Sequence, residues 1–349
     1  MWDEVIGHKD TKQFLQNMLA EGHRTPSLLF YGPAGIGKTK LAREFAKSFM
    51  CLADPLQPCH CDSCRAMENG THPDFIQVAP EGTSHSIKLE QIQQLGTKAS
   101  FAPVLSKYKV CIIQDAQAMR EEAQNSLLKL LEEPPAYWLF ILVADAPELL
   151  LPTIRSRVIG VRFQALSRAD TARVMASITL TSDQVPASLA EEPLDKVQAR
   201  WVRDRDVLAA LAGGSAGKAL ELFRLDALTL RESLLTILEK IDGGKLMNDL
   251  AGQAFLDKKD AQENNVIIEL LTLLLRDGLL LTSHADVPLY NEDITQRLIR
   301  CFDSWTTERL RSSLDLVEQA RRGLQSFVSR RLVLEYLFLQ IHRLRKEQD

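Results

Sequence analysis

The chain has 349 residues, 45% hydrophobic and 25% charged, the proportions of a folded globular protein long enough for two or three domains. A net charge of −4 argues against a protein that coats nucleic acid by itself, since that task needs a basic surface, and leaves room only for a local basic lining. The opening "MWDEVIGHKD" is neither a signal nor a transit peptide, and the most apolar run, Val266–Leu281, is too short to span a bilayer, so a cytoplasmic chain with no membrane partner is expected.

The first half alternates. "SLLFYG" (Ser27–Gly32) is a short apolar run, and Lys38–Phe49 follows with helical spacing. "KVCIIQDA" (Lys109–Ala116) is a second run, followed by helical "EEAQNSLLKLLEE" (Glu121–Glu133) and then by "WLFILVADA" (Trp138–Ala146). Short apolar strands alternating with helices predict an α/β fold, a parallel sheet covered by helices on both faces. The alternation ends near Phe163. Leu166–Asp170 opens a helix, with Ser167 as its N-cap and Asp170 at the third position after it. No further strand is expected. Thr179–Pro193, rich in Ser, Pro and acidic residues, reads as a loop or a poorly ordered insertion. Leu211–Phe223 turns through glycines back into helix, and a boundary falls near Arg224–Thr229. Val266–Leu281 carries Glu269, Arg276 and Asp277 and reads as a buried helix. The last helix spans about Ser304–Arg345, with Leu310, Leu314, Val317, Leu324 and Val328 at helical spacing and Gly323 as a point of division.

"GPAGIGKT" carries the clearest chemistry. Gly32, Pro33, Ala34, Gly35, Ile36, Gly37, Lys38 and Thr39 fit G-x-x-x-x-G-K-[ST]. Glycines let successive backbone N–H groups turn inward around phosphate oxygens; Lys38 reaches the terminal phosphates, and the Thr39 hydroxyl ligates magnesium. A strand before the loop and a helix after it set this apart from a chance match.

Hydrolysis needs more than the loop. Magnesium wants an Asp at the tip of a second strand, and the attacking water wants a carboxylate beside it. Laid onto "VCIIQDAQAM", the first acid falls on the neutral Gln114 and the second on Asp115. Shifted by one, Asp115 becomes the metal ligand and Ala116 stands where the base belongs. Either register loses one group, and an ordinary solvated Asp115 is the plain alternative. At the end of "FILVADAP", Ala144 cannot sense a γ-phosphate and Asp145 would repel one.

"NSLLKLLEEPP" (Asn125–Pro135), "TIRSR" (Thr153–Arg157) and "GTHPDF" (Gly70–Phe75) together resemble the clamp-loader branch of the AAA+ proteins, and within it the non-motor, delta-prime type of bacterial DNA polymerase III. The similarity runs through residues 1–166 and resumes at "GGSAGKALELF" and "EQARRGLQSFVSRRLVLEYLFLQ". It implies an AAA+ nucleotide-binding domain over 1–165, a helical lid over 166–226 and an all-α collar over 227–349. Val5, Ile6 and Gly7 match the segment that packs on adenine. Arg157 matches an arginine that reaches ATP in a neighbouring subunit, although Val158 replaces the usual Cys, and a structural ion pair is its plain alternative. Gly217 stands where motor subunits carry an Arg that contacts their own nucleotide; Lys218 is a weak substitute.

The resemblance also implies a structural zinc module on Cys51, Cys59, Cys61 and Cys64, although the gaps here, seven, one and two residues, are tighter than usual and would allow His60 to replace one ligand. Four thiolates suit tetrahedral zinc, with reduced, metal-free thiols as the alternative. Cys111 and Cys301 read as inert small hydrophobes. The function implied is a subunit that helps ATP-dependent loading of a sliding clamp onto primed DNA. Its partners would be motor and delta subunits in a hetero-oligomeric ring within a cytoplasmic, nucleoid-associated replisome. It would have no polymerase site of its own and would bind magnesium-ATP without efficient turnover. The competing expectation is a motor-type or other AAA+ ATPase with its own turnover, favoured by Lys38 and Thr39 and opposed by Gln114, Ala144 and Gly217.

Overall fold

A computed structural model describes residues 2–21, 27–82, 85–240, 261–324 and 329–346. The chain forms two compact units, Met1–Arg173 with Gly214–Gly217, and Val174–Gly213 with Lys218–Asp349.

The first unit holds one parallel five-stranded sheet. Its strands are β1 (Ser27–Tyr31), β2 (Phe75–Val78), β3 (Lys109–Ile113), β4 (Trp138–Ala144) and β5 (Ile159–Arg162), ordered β2-β3-β4-β1-β5. Helices α1 (Lys9–Ala20), α2 (Lys38–Phe49), α3 (Asp62–Glu68), α4 (Leu89–Ala99), α5 (Glu121–Glu132) and α6 (Pro152–Arg155) surround it. Successive strand residues point to opposite faces. Leu28, Phe30, Ile112, Ile141 and Val143 therefore pack on one side with Leu41 and Phe45 of α2. Leu29, Cys111, Ile113, Phe140 and Leu142 pack on the other with Leu95 of α4 and Leu127 of α5. Both faces are dry, as a parallel sheet requires. Phe30 and Phe140 are fully buried; truncating either to Ala costs about 3–5 kcal/mol.

The three strands legible in the sequence are the three central ones. The two edge strands were not anticipated. β5 buries only Val161 and β2 only Val78. An edge strand needs no continuous apolar run, so it leaves little mark on the sequence.

The described residues of the second unit form helices joined by turns and loops, with no strand among them. It contains α8 (Leu194–Leu211), α10 (Ala227–Lys240), α11 (Ala261–Thr282), α12 (Thr295–Phe302), α13 (Thr307–Leu324) and α14 (Arg330–Lys346), and it shares α7 (Arg168–Ala176) and α9 (Ala216–Arg224) with the first. Ser167 caps α7 as expected, its hydroxyl accepting the Asp170 amide at 3.0 Å. Thr179–Pro193 holds two short 3-10 turns, Ser182–Gln184 and Ala187–Leu189. Side chains distant in sequence tie it down: the Leu180 amide donates to Gln198 at 3.0 Å and the Ser188 hydroxyl to Asp226 at 2.8 Å. Val266, Ile267, Leu270, Leu271 and Leu274 bury the middle of α11, and no described helix is long and apolar enough to cross a membrane. The expected long last helix is two helices, α13 ending one residue after Gly323; Val328 lies outside the described residues.

Candidate functional site

The loop Gly32–Thr39 joins β1 to α2, and its surroundings follow from the sheet order. β1 and β4 are parallel neighbours with Tyr31 opposite Ala144, and the Gly32 amide continues the ladder to the Ala144 carbonyl at 3.3 Å. The residues that leave the two strand tips, the loop and Asp145, are therefore side by side. Only glycine fits at position 32, where φ is +148° and a Cβ would stand 2.3 Å from the Phe163 carbonyl oxygen.

Five consecutive loop carbonyls accept hydrogen bonds from elsewhere in the chain. Lys38 Nζ donates to Gly32 and Pro33 at 2.7 and 2.5 Å, the Ser215 hydroxyl to Ala34 at 2.8 Å, the Gly217 amide to Gly35 at 2.9 Å and His8 Nε2 to Ile36 at 2.8 Å. Donation by His8 requires the proton on Nε2, and burial pulls its pKa below the ordinary value. With these acceptors engaged, the unbonded amides at the start of α2 are the donors that such a loop could offer an anion.

Lys38 is 4% exposed and its third contact is Asp145 Oδ1 at 2.6 Å. The Asp145 amide donates to Gln117 Oε1 at 3.2 Å, which fixes the start of the turn after β4. From local sequence Asp145 is expected only to repel a phosphate, and nothing there singles out Gln117. The pairing is a consequence of strand order, which the local sequence does not carry.

Gln114 follows β3 directly and its amide still pairs with Val78, at 2.8 Å, so a neutral side chain occupies the strand tip. Asp115 then turns left-handed, φ 46°, and its carboxylate stands 3.9 Å from His85 Nε2 at the surface. A Cβ on Gly217 would lie 2.8 Å from Gly35 Cα, so no side chain can extend from that position without moving the loop. Lys218 forms an ion pair with Glu269 in the second unit. Thr39 is half-buried in the first turn of α2.

Val5 is buried in the core beside Phe163, and Ile6 is half-buried. Beyond them lies a cleft of about 230 Å³, lined by polar residues that include His8, Asp10, Arg162 and Asp170. Arg157 follows α6 and is partly exposed. It donates to the Thr153 carbonyl at 3.0 Å and pairs with Glu132 of α5 at 2.8 Å. Buried Gln124 anchors the approach to α6: its Oε1 accepts the Leu151 amide at 2.7 Å, and its Nε2 donates to the Met119 and Leu149 carbonyls.

Cys51, Cys59, Cys61 and Cys64 bring their sulfurs within 4.8 Å of one another, whereas His60 is exposed and outside the cluster. Tetrahedral zinc with bonds of ~2.3 Å sets sulfurs roughly 3.8 Å apart, so the group fits a four-thiolate ion. Burial pushes the Cys51 and Cys64 thiols up. At Cys61 burial also opposes ionisation, but hydrogen bonds from the Cys64 and Leu52 amides outweigh it and hold the thiol at about 6. Ser63 of α3 braces the cluster by donating to the Met50 carbonyl at 2.8 Å and meeting His72 at 2.9 Å.

Two protein families match the chain: one described as DNA polymerase III, delta subunit, over residues 7–167, and one described as DNA polymerase III, delta subunit, C terminal, over residues 226–343. The DNA polymerase III subunit delta' of Bacillus subtilis is 29% identical over 94% of this chain and 94% of that protein. The subunit delta' of Pseudomonas aeruginosa is 32% identical over 61% of this chain and 59% of that protein. The subunit tau of Bacillus subtilis is 29% identical over 79% of this chain but only 46% of its own length. The chain belongs to the delta-prime-type subunits of the DNA polymerase III clamp loader.

Proposed function

We propose that this subunit holds a nucleotide in Gly32–Thr39 without turning it over efficiently, and that it presents Arg157 to ATP bound by a neighbouring motor subunit. In that role it helps a ring of motor, delta and delta-prime-type subunits load a sliding clamp onto primed DNA. One observation carries the reading: an intact loop of the phosphate-binding type whose lysine is paired with Asp145, in a sheet whose β3 tip is the neutral Gln114. Gln114 is a poor magnesium ligand. The Asp115 carboxylate faces His85. Motor-type turnover also relies on an arginine at the position of Gly217, where a Cβ already collides with the loop.

When a nucleotide binds, the loop amides and Lys38 would cradle its phosphates, Thr39 would supply the hydroxyl for magnesium, and the cleft beyond Val5 and Ile6 would receive the base. The cysteine cluster would hold zinc as a closed structural site with no open coordination position. We assign 166–226 to a lid and 227–349 to a collar that contacts other subunits. Support for the collar comes from an apolar groove of about 530 Å³ between α13 and α14, lined by Leu316, Ala320, Leu332, Val333, Tyr336 and Leu337. Leu332 and Tyr336 are each 61% exposed there, a large apolar surface for a lone chain to leave in water.

Arg157 provides the test. An exposed ion pair such as Arg157–Glu132 contributes about 0–1 kcal/mol, so Arg157→Ala should barely change the stability of the chain. In the assembled loader it should lower ATP hydrolysis by about tenfold or more, since arginine fingers supply ~10³ in rate. Unchanged hydrolysis in the complex would reduce Arg157 to its ion pair.

A further inference from the structure

We infer that Asp145 is a resident counter-anion of the phosphate loop, which weakens nucleotide binding and selects against a terminal phosphate. The inference rests on the reading of Gly32–Thr39 as a nucleotide site.

An ammonium group has three protons. Lys38 Nζ has three acceptors, the Gly32 and Pro33 carbonyls at 2.7 and 2.5 Å and Asp145 Oδ1 at 2.6 Å. Every proton is in use. A phosphate oxygen that approaches this lysine must displace one acceptor. The two carbonyls belong to the backbone of the loop itself and cannot leave without unfolding it. The Asp145 side chain is 34% exposed and can rotate toward solvent. The carboxylate is therefore the group that must yield.

Displacement has two consequences with the same sign. The ion pair of a lysine that is only 4% exposed is broken, and the freed carboxylate stays beside the incoming phosphate, where like charges repel. The chain cannot move the carboxylate far, because the Asp145 amide is held by Gln117 at 3.2 Å and the Ala144 carbonyl by the Gly32 amide at 3.3 Å. Lys38 would reach the β- and γ-phosphates of a nucleotide, so the penalty falls on both nucleotides and most on a triphosphate, whose γ-phosphate adds charge beside the freed carboxylate. A diphosphate must displace the same carboxylate but brings less negative charge beside it. The five loop carbonyls all find donors within the chain.

The experiment is a titration of the full-length chain with fluorescent ATP and ADP in magnesium buffer, for the natural sequence, Asp145→Asn and Lys38→Ala. Asp145→Asn keeps the size of the side chain and removes its charge. It should bind ATP about tenfold or more tighter than the natural chain, and ADP by less than about threefold. Its ligand-free thermal midpoint should be equal or lower, because the ion pair is gone; a purely structural role would weaken binding along with stability. Asp145→Ser, which shortens the side chain, should shift binding in the same direction and covers the case in which the Asn variant folds poorly. Equal or weaker ATP binding in both variants, with Lys38→Ala abolishing it, overturns the role of Asp145 and leaves the nucleotide site intact. No binding of either nucleotide at millimolar concentration by any of the chains overturns both.

Discussion

Asp74 has no exposed surface, yet the fold keeps it ionised. Burial alone would push its pKa up, but the amides of Ser106, Val104 and Leu105, at 2.9, 2.8 and 2.7 Å, outweigh burial and hold it below the ordinary carboxylate value. The carboxylate thereby fixes the loop that leads into β3. A depressed pKa means stability that is complete above the unfolded value, about 3.9, and lost as pH falls through the lower folded value. Urea denaturation from pH 6 down to about pH 3 should therefore show a loss that Asp74→Asn largely removes. At neutral pH that variant should itself be weaker by about 1–3 kcal/mol, because buried amides lose acceptors. An identical acid response in both chains would show that the three amides do not carry this stabilisation. Asp74 lies in "GTHPDF", a stretch that bore on the family resemblance but whose mechanical task was not legible.

The Gly32–Thr39 turn between strand and helix and the central strands were readable because each is local: a glycine spacing, an apolar run, a capped helix start. The edge strands β2 and β5 were missed because half-solvated strands carry no apolar run. The Lys38–Asp145 pair, the Gln124 anchor under α6 and the Ser215 and Gly217 braces on the loop were missed for a different reason. Each joins residues brought together only by strand order or by the return of the chain at Gly214–Gly217. The cysteine element lies between these cases. Its residue types were plain in the sequence, but its unusual spacing left open whether His60 takes part. The structure places the four sulfurs together and His60 outside them. Metal analysis should accordingly find about one zinc per chain. Chelation should lower the thermal midpoint of the natural chain while leaving that of Cys64→Ser nearly unchanged. Metal-free protein of undiminished stability would remove zinc from this account.

For the whole molecule, the chain divides its chemistry between what it keeps and what it offers. Its charge of −4 fits the proposed reading, in which contact with nucleic acid would belong to an assembly. Assembly should depend on the groove between α13 and α14. Tyr336→Glu combined with Leu332→Glu places charge on two side chains that the fold leaves 61% exposed each. The pair should leave the stability of the chain within about 0.5 kcal/mol per substitution. Size-exclusion analysis of the mixed subunits should nevertheless show weakened incorporation by tenfold or more in affinity, roughly the effect of losing one or two interface anchors. Normal incorporation would place the subunit contacts elsewhere.

The central claim is that a loop built to hold triphosphate sits among groups unable to cleave it. ATP turnover by the purified chain alone tests this most directly. The account predicts a rate near the background of the Lys38→Ala variant. Vigorous turnover that disappears in Lys38→Ala would contradict it.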